Sequence, residues 1–522
     1  MPPPMTKPSS TKPQIPHATT HPQPPSHASK FYAKQQQELI PACIFTPSSP
    51  QDLSTGLGII KSYGCQFAVR SGGHGTPAGW SNADGGVSID LGGFNEVELL
   101  ESGVESEGNQ GIVRVGTGAR WRDVYGVLLP LSISPVGGRS ADVGVGGFIL
   151  GGGISYISRR YGWAIDNVKN FEVVLANGTV ANINRESSPD LFWALRGGGS
   201  NFGIVTRFDL ETYPQGPAWG GFNFHLMSHA DVSSRRALLN LSPPSASYTL
   251  QSVIDKTVSL IWRTACLLGY CVPVDTLFET FQNSSLALEN DPYAHMIMAF
   301  VYAADVNLYL GCSVTQYTKE TGGPEVYKNF SALPKIYSSV RSGGLNEFAL
   351  EDTSYNKPGT RSLWITSTSR LNATLISRIY DIFLAEIGLV RSVKGGGIGL
   401  NFQPITLEIV RHFGKNGGNP LGLHEEEEPL MIIGHTLQWK NVEDDALMHK
   451  VAHTILDRGI EEAKKMGLHH PYIYHNYAGA GQDVFAGYGV RNRQRLMEIQ
   501  GRYDPEGVFT RLQPGGFKVQ DL

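Results

Sequence analysis

Three glycine-rich loops constrain this chain more than any other feature. They are Ser71–Gly75 within RSGGHG, Gly137–Gly153 (GGRSADVGVGGFILGGG) and Gly197–Gly203 (GGGSNFG). Glycine removes the side chain from a bend, so main-chain N–H groups stand open and the backbone can approach a ligand closely. The 61 glycines are denser in the first 220 positions and lack a three-residue period, so they mark tight loops and not a collagen-like or low-complexity chain. Taken singly, each loop reads as a turn. Three in one region predict a concave anion nest or a wrap around a flat cofactor.

Other nucleotide and catalytic signatures are missing. There is no G-x-x-x-x-G-K-[ST], and GVGGFILGGG breaks the G-x-G-x-x-G register and does not follow a strand. G-x-S-x-G is absent, and His424 has no second histidine at zinc spacing, so no metal site is expected. The 43 basic and 47 acidic residues give a net charge of −4 with no basic stripe, which removes nucleic acid as a partner. Five cysteines argue against a disulfide scaffold while permitting one or two bridges.

Residues 1–37, rich in Pro, Ser, Thr and His, predict a disordered tail. That opening lacks the apolar run of roughly 7–15 residues of a secretory signal, and nothing later reaches ~18 consecutive apolar residues. No membrane span is expected, and the location is expected to be cytoplasmic or otherwise intracellular, or secreted if the N-terminus is misassigned. Sequons begin at Asn177, Asn240, Asn283, Asn329 and Asn372, a number that a chain rich in Ser and Thr produces by accident.

From Ala42 the pattern becomes α+β. Ile44 and Phe45 predict a strand. Ser49-Pro50 opens a helix with Leu53, Leu57 and Ile60 on its apolar face, and Phe67 and Val69 alternate as the next strand. VSIDL, EVELL and IVRVG read as strands, and Trp121–Leu131 as a helix with Val124, Val127, Leu128 and Leu131 apolar. Asn177-Gly178 marks a hairpin. Beyond Tyr213, strands such as MIIGHTLQW alternate with amphipathic helices such as Asp445–Lys465. A final helix carrying Leu496, Ile499 and Tyr503 should stop at Asp504-Pro505.

Several long stretches, in order, resemble the berberine bridge enzyme-like branch of the vanillyl-alcohol oxidase and p-cresol methylhydroxylase superfamily of FAD-linked oxidases. FAVRSGGHG is similar to its flavinylation loop, VGVGGFILGGGISYISRRYGWAIDNV to its second FAD loop, and GGGSNFGIVTRFDLE to the end of its first FAD segment. YIYHNYAG and RLMEIQGRYDPEGVF resemble its closing segment, and LNFQPI and GGNPLGL resemble fungal-type members. The resemblance implies a two-part FAD-binding domain of the p-cresol methylhydroxylase type, residues 38–214 and 468–522. It also implies an α/β substrate domain, residues 215–467, with an antiparallel sheet covered by helices.

It further implies FAD bonded through His74 only, because Ser140 stands where many members place a second, cysteine attachment. The cofactor-binding residues implied are Arg70, Ser71, Gly72, Gly73, His74, Gly75, Gly137, Ser140, Val143, Gly144, Gly146, Gly147, Gly152, Gly203, Ile204, Val205 and Asn476. Val143 resembles the oxidases, where dehydrogenases carry leucine. Tyr474 and Tyr477 are the implied catalytic residues, with no carboxylate visible beside them for base work. A free phenol titrates near ~10, so either needs a neighbouring cation or hydrogen bond to act as a base. The activity implied is an FAD-dependent oxidase that reduces O2 to H2O2 while oxidising a small alcohol, amine or related secondary metabolite. The alternatives are a flavoprotein cyclase of natural-product biosynthesis and a carbohydrate oxidase.

Overall fold

The computed structural model describes residues 18–19, 25–100, 108, 110–228, 260, 262 and 264–520. The first part of the chain builds two sheets. Strand β1 (Cys43–Phe45), helix α1 (Pro50–Ser62), strand β2 (Phe67–Arg70) and strand β3 (Val87–Asp90) form a parallel unit in which β3 lies between β1 and β2. Ser49 caps α1 by accepting from the Asp52 N–H, Pro50 fills its first turn, and Leu53, Leu57 and Ile60 are buried, as their spacing predicts. Arg70 therefore ends β2 at the mouth of the first glycine loop.

The second sheet is antiparallel. Strands β4 (Val97–Leu100), β5 (Gly111–Gly116), β6 (Ile133–Pro135), β7 (Val168–Val174), β8 (Val180–Asn184) and β9 (Ile204–Pro214) make it, with the long β9 pairing β5, β6 and β7. Asn177-Gly178 turns the β7–β8 hairpin, with Gly178 at φ 84°. Helix α2 (Trp121–Leu128) is shorter than its sequence pattern. Pro130 interrupts it, and its buried face is Trp121, Val124, Tyr125 and Leu128, while Val127 and Leu131 are exposed.

After Pro214 the chain enters a ten-stranded sheet. Its central strands are β10 (Ala218–Ser228), β11 (Ala294–Ala303), β12 (Leu308–Tyr317), β13 (Arg361–Arg370), β14 (Gly397–Ile405) and β15 (Leu430–Trp439), in the spatial order β10-β12-β11-β14-β15-β13 and antiparallel throughout. Ala373–Ile387 and Asp445–Lys465 cover one face. Alternation along β15 divides two cores. Met431, Ile433, Leu437 and Trp439 face the helices, whereas Leu430 and Ile432 join the core of the first part. The unpacked face of this sheet thus turns toward the glycine loops. A helix at Val490–Tyr503 then returns to pack on Pro189–Leu195 and stops before Asp504-Pro505, and Val508 and Phe509 enter the core beside α1. Among the described residues no helix is long and apolar enough to cross a membrane.

The structure orders part of the predicted tail, where Ala18–Thr19 pairs with β1. Pro25–Ala28 and Lys34–Gln37 are helical turns, and Phe31, Ala33 and Gln36 between and within them are completely buried. Composition misjudged this segment because its few apolar groups pack against a preformed surface and need no core of their own. Residues 1–17 and 20–24 of the predicted tail, and the Asn240 sequon, lie outside the described residues. One disulfide joins Cys266 and Cys271, while Cys43, Cys65 and Cys312 are free.

Candidate active site

The three glycine loops converge on one cavity of about 400 Å³. Two of them meet back to back. A Cβ on Gly72 would stand 2.5 Å from the Gly144 Cα, and one on Gly144 would stand 2.5 Å from the Gly72 Cα, so no side chain fits at either position. Ser71 locks the contact, its Oγ donating to the Thr117 carbonyl (2.6 Å) and accepting from the Gly146 N–H (3.2 Å). Around this seam the wall is made by Ser71, Gly72, Gly73, His74, Gly75, Ser140, Val143, Gly144, Gly146, Gly147, Gly203, Ile204 and Val205. Tyr474, Asn476 and Tyr477 come in from the C-terminal segment.

Three expected cofactor residues stand behind the wall. Arg70 is buried under the first loop, ion-paired with Asp90 and donating to the Ser71 carbonyl (2.9 Å), so it supports the loop and does not line the cavity. Gly137 rests on the Trp121 ring, where a Cβ would approach to 2.6 Å. Gly152, at φ 118°, turns the chain against Trp163 and Tyr474.

His74 stands at the end of the first loop with its ring stacked on Tyr32 (centroids 4.2 Å apart, 17° between planes) and edge-on to Trp364. Burial, reinforced by the positive Arg120 nearby, lowers its pKa to about 4, so the imidazole is neutral and keeps a nitrogen lone pair at neutral pH.

The two tyrosines differ in surroundings. Tyr474 is buried, and its hydroxyl accepts from the Ile154 N–H and the Asn476 amide, both at 3.2 Å. Burial pushes its pKa up, holding it as a phenol. Asn476 also donates to the Phe148 carbonyl (2.9 Å), so its amide braces the second loop. Tyr477 faces the large sheet, where Arg139 donates to its oxygen at 2.5 Å. The same guanidinium donates to Gln403 of β14 (2.8 Å) and meets the ring nitrogen of His295 of β11 (3.0 Å). Burial, then Arg139, holds His295 well below its ordinary pKa.

A carboxylate does line the cavity, contrary to the sequence reading. Asp352, on the helix Leu345–Tyr355, is raised to about 6 by burial against the opposing pull of Arg139. Its sequence context, FALEDTSY, is that of an ordinary amphipathic helix and gives no signal of a site. Arg139 sits inside the second loop and could have been found as the one cation among its glycines. Tyr32, Asp352 and Trp364 lie far from every motif, Gln403 falls within LNFQPI without a signal of this role, and the four are joined only by the fold. Two more buried polar atoms, Nδ1 of His475 and Oε1 of Gln513, lack a protein partner, and both residues belong to the cavity wall.

A family model described as an FAD binding domain matches residues 41–184. The chain is 37% identical over 500 residues to the FAD-dependent monooxygenase tpcD of Cochliobolus heterostrophus, which covers 95% of this chain and 88% of that relative. Among solved structures it is similar to 6-hydroxy-D-nicotine oxidase from Arthrobacter nicotinovorans, with TM-score 0.70, 18% identity and 95% of both chains covered. It is also similar to glucooligosaccharide oxidase from Acremonium strictum, described as carrying a 6-S-cysteinyl, 8α-N1-histidyl FAD, with TM-score 0.62, 18% identity and 92% of both chains covered.

Proposed function

This chain belongs to the FAD-linked oxidoreductases of the berberine bridge enzyme-like kind, and from that premise we propose an oxidase that holds FAD by one covalent bond, through His74. It would act on a small alcohol, amine or related secondary metabolite and return the electrons to O2 as H2O2. The observation that carries this reading is the convergence of three glycine loops and a neutral histidine on a single cavity.

The residues fit the cofactor. At Gly72, Gly144 and Gly146 a Cβ would strike the facing loop, so bare main chain forms the wall there, and the partnerless polar atoms of His475 and Gln513 offer contacts to a polar ligand. FAD when bound supplies a two-electron acceptor for hydride from a substrate C–H. Ser140 cannot form the thioether described for the glucooligosaccharide oxidase, which supports a single attachment. Val143 on the wall leaves more room for O2 than a leucine would.

The chain's own residues handle the proton. Tyr477 faces the cavity with Arg139 donating to its oxygen, so a proton leaving that oxygen leaves behind a negative charge that is already paired. Arg139 is held in turn by Gln403 and His295, which fixes its direction. Asp352, half ionised near pH 6, lies on the same wall to take a proton onward. Trp364 packs edge-on against Tyr477 and limits water around it.

The name of the relative from Cochliobolus supports a second reading, oxygen transfer to the substrate. One experiment separates the two. Purified enzyme is turned over under ¹⁸O2 with panels of benzylic alcohols, cyclic amines and oligosaccharides, and O2 uptake, H2O2 and product label are measured. The oxidase reading expects one H2O2 per O2 and an unlabelled product. Labelled product without equivalent peroxide replaces it with a monooxygenase.

A further inference from the structure

The segment His27–Glu38 crosses the outer side of the His74 loop as a strap. The Tyr32 N–H donates to the Gly73 carbonyl (2.9 Å), and the Tyr32 carbonyl accepts from the Gly359 N–H (2.9 Å). Gly73, at φ 73°, leaves the strap its path, since a Cβ there would stand 2.7 Å from the Lys30 carbonyl. Gln35 reaches two ways, donating to the Thr76 carbonyl (2.8 Å) beyond the loop and to the Ser362 carbonyl (2.6 Å) on β13. Lys30 pairs with Asp90 (2.9 Å), the carboxylate that also holds Arg70. Each contact fixes the strap against the loop, the parallel unit or the large sheet.

The product of this anchoring is the position of one ring. Tyr32 lies flat on the His74 imidazole, while the neighbouring Gln35 holds Ser362 near the start of β13. Two residues along β13, Trp364 closes on the edge of the same imidazole, with ring centroids 6.3 Å apart at 88°. Besides a contact to its own main chain, no other residue among the described ones hydrogen-bonds a ring nitrogen of His74, so the packing of Tyr32 and Trp364 does much of the work of holding the ring plane. Tyr32 is almost fully buried, and it keeps water from one whole face of the ring.

Resting on the reading that His74 carries FAD, we propose that Tyr32 is a positioning residue for the covalent attachment, fixing the plane of the imidazole so that one nitrogen is presented to the cavity. Bond formation removes one hydrogen from the 8α-methyl carbon and one from the imidazole N–H, and a C–N bond replaces them. The two electrons and two protons pass into the flavin, and O2 then accepts them as H2O2. A ring free to rotate presents its nitrogen only part of the time, and misplacement of about 1 Å costs roughly 100-fold in an oriented reaction.

The test uses full-length chains made under riboflavin limitation and then incubated with FAD in air. Covalent flavin is read as in-gel fluorescence after denaturation, and total bound FAD from the absorbance before it. Wild type is expected to convert bound FAD to covalent FAD. Tyr32→Phe keeps the stack and should convert within about twofold of wild type, whereas Tyr32→Leu should bind FAD but convert roughly 10- to 100-fold more slowly. Tyr32→Met, which fills the same buried site without a flat ring, should also slow conversion and guards against a Tyr32→Leu chain that fails to fold. Conversion of both Tyr32→Leu and Tyr32→Met at the wild-type rate overturns the proposal, as does a loss of covalent flavin that only follows a loss of total FAD. A wild type that binds FAD and never converts it overturns the His74 reading itself, and is told apart because every variant then behaves alike.

Discussion

The phenol oxygen of Tyr477 lies 2.5 Å from a guanidinium nitrogen of Arg139, 338 residues away in sequence. Its neighbour Tyr474, on the same short segment, instead meets the neutral donors Ile154 N–H and Asn476. Two tyrosines of one motif thereby have different surroundings, and the proposed function gives the proton-handling role to Tyr477 alone. Tyr477→Phe is expected to lower kcat by about 10²- to 10⁴-fold with FAD content unchanged. Tyr474→Phe leaves two buried donors short of their acceptor and should cost about 1–3 kcal/mol of stability with a smaller effect on kcat. Steady-state kinetics beside thermal melts check both, and the reverse pattern would exchange their roles.

The cradle predicts opposite outcomes for two alanine substitutions. Gly72→Ala drives a methyl into the main chain of Gly144 and should destabilise the protein by about 1–3 kcal/mol or more, with loss of FAD. Gly147 has nothing within 4 Å of its missing Cβ and lies in the helix Val145–Leu150. Gly147→Ala should therefore stabilise the FAD-free protein by about 0.5–1 kcal/mol while lowering FAD occupancy, because the methyl projects from the cavity wall. Denaturant melts with and without FAD, with flavin absorbance per chain, measure the contrast.

Asp352 makes stability depend on pH. Burial raises its carboxyl to about 6, whereas an unfolded aspartate titrates near ~3.9. Between these values the folded chain holds a proton that the unfolded chain has released. Its contribution to stability therefore falls as pH rises through this window and is a constant penalty above it. Asp352→Asn is expected to raise Tm on the order of 2 °C at pH 8 and to leave it unchanged near pH 4. A shift of equal size at both pH values would mean that lost packing, and not the charge, governs the site.

Val143→Leu adds a methylene to the cavity wall. We expect slower reoxidation by O2, by roughly tenfold, with reduction by substrate under anaerobic conditions unchanged. Stopped-flow traces of the two half-reactions are the check, and equal slowing of both would show that the added bulk obstructs the substrate instead.

The glycine loops were legible because their residue type states a backbone requirement directly, and helix α1 because Ser49, Pro50 and three buried apolar residues all agree. Helix α2 was misjudged at its end because Val127 and Leu131 fit a helical period that Pro130 cuts short. Of the cavity wall, the glycine loops and the closing tyrosines were legible. Asp352 and Trp364 meet through a helix and a strand whose local patterns report burial alone, Arg139 and Gln403 lie inside the second loop and LNFQPI with nothing there to pair them, and Tyr32 sits in a segment whose composition predicts no structure. Pairings across hundreds of residues are decided by sheet order, and periodicity carries no information about that.

Asp90 gathers Arg70 from the cofactor loop and Lys30 from the crossing segment. Someone trimming this gene for expression would naturally cut just after the proline-rich leader, near residue 38. That cut would remove from the sheets only the two-residue edge strand Ala18–Thr19, and would leave the Asp90 carboxylate without one of its cations, the Gly73 carbonyl without its donor and the imidazole without its cover. On the proposed attachment through His74, the shortened polypeptide would be a yellow protein of a different sort, its pigment washed away by acid.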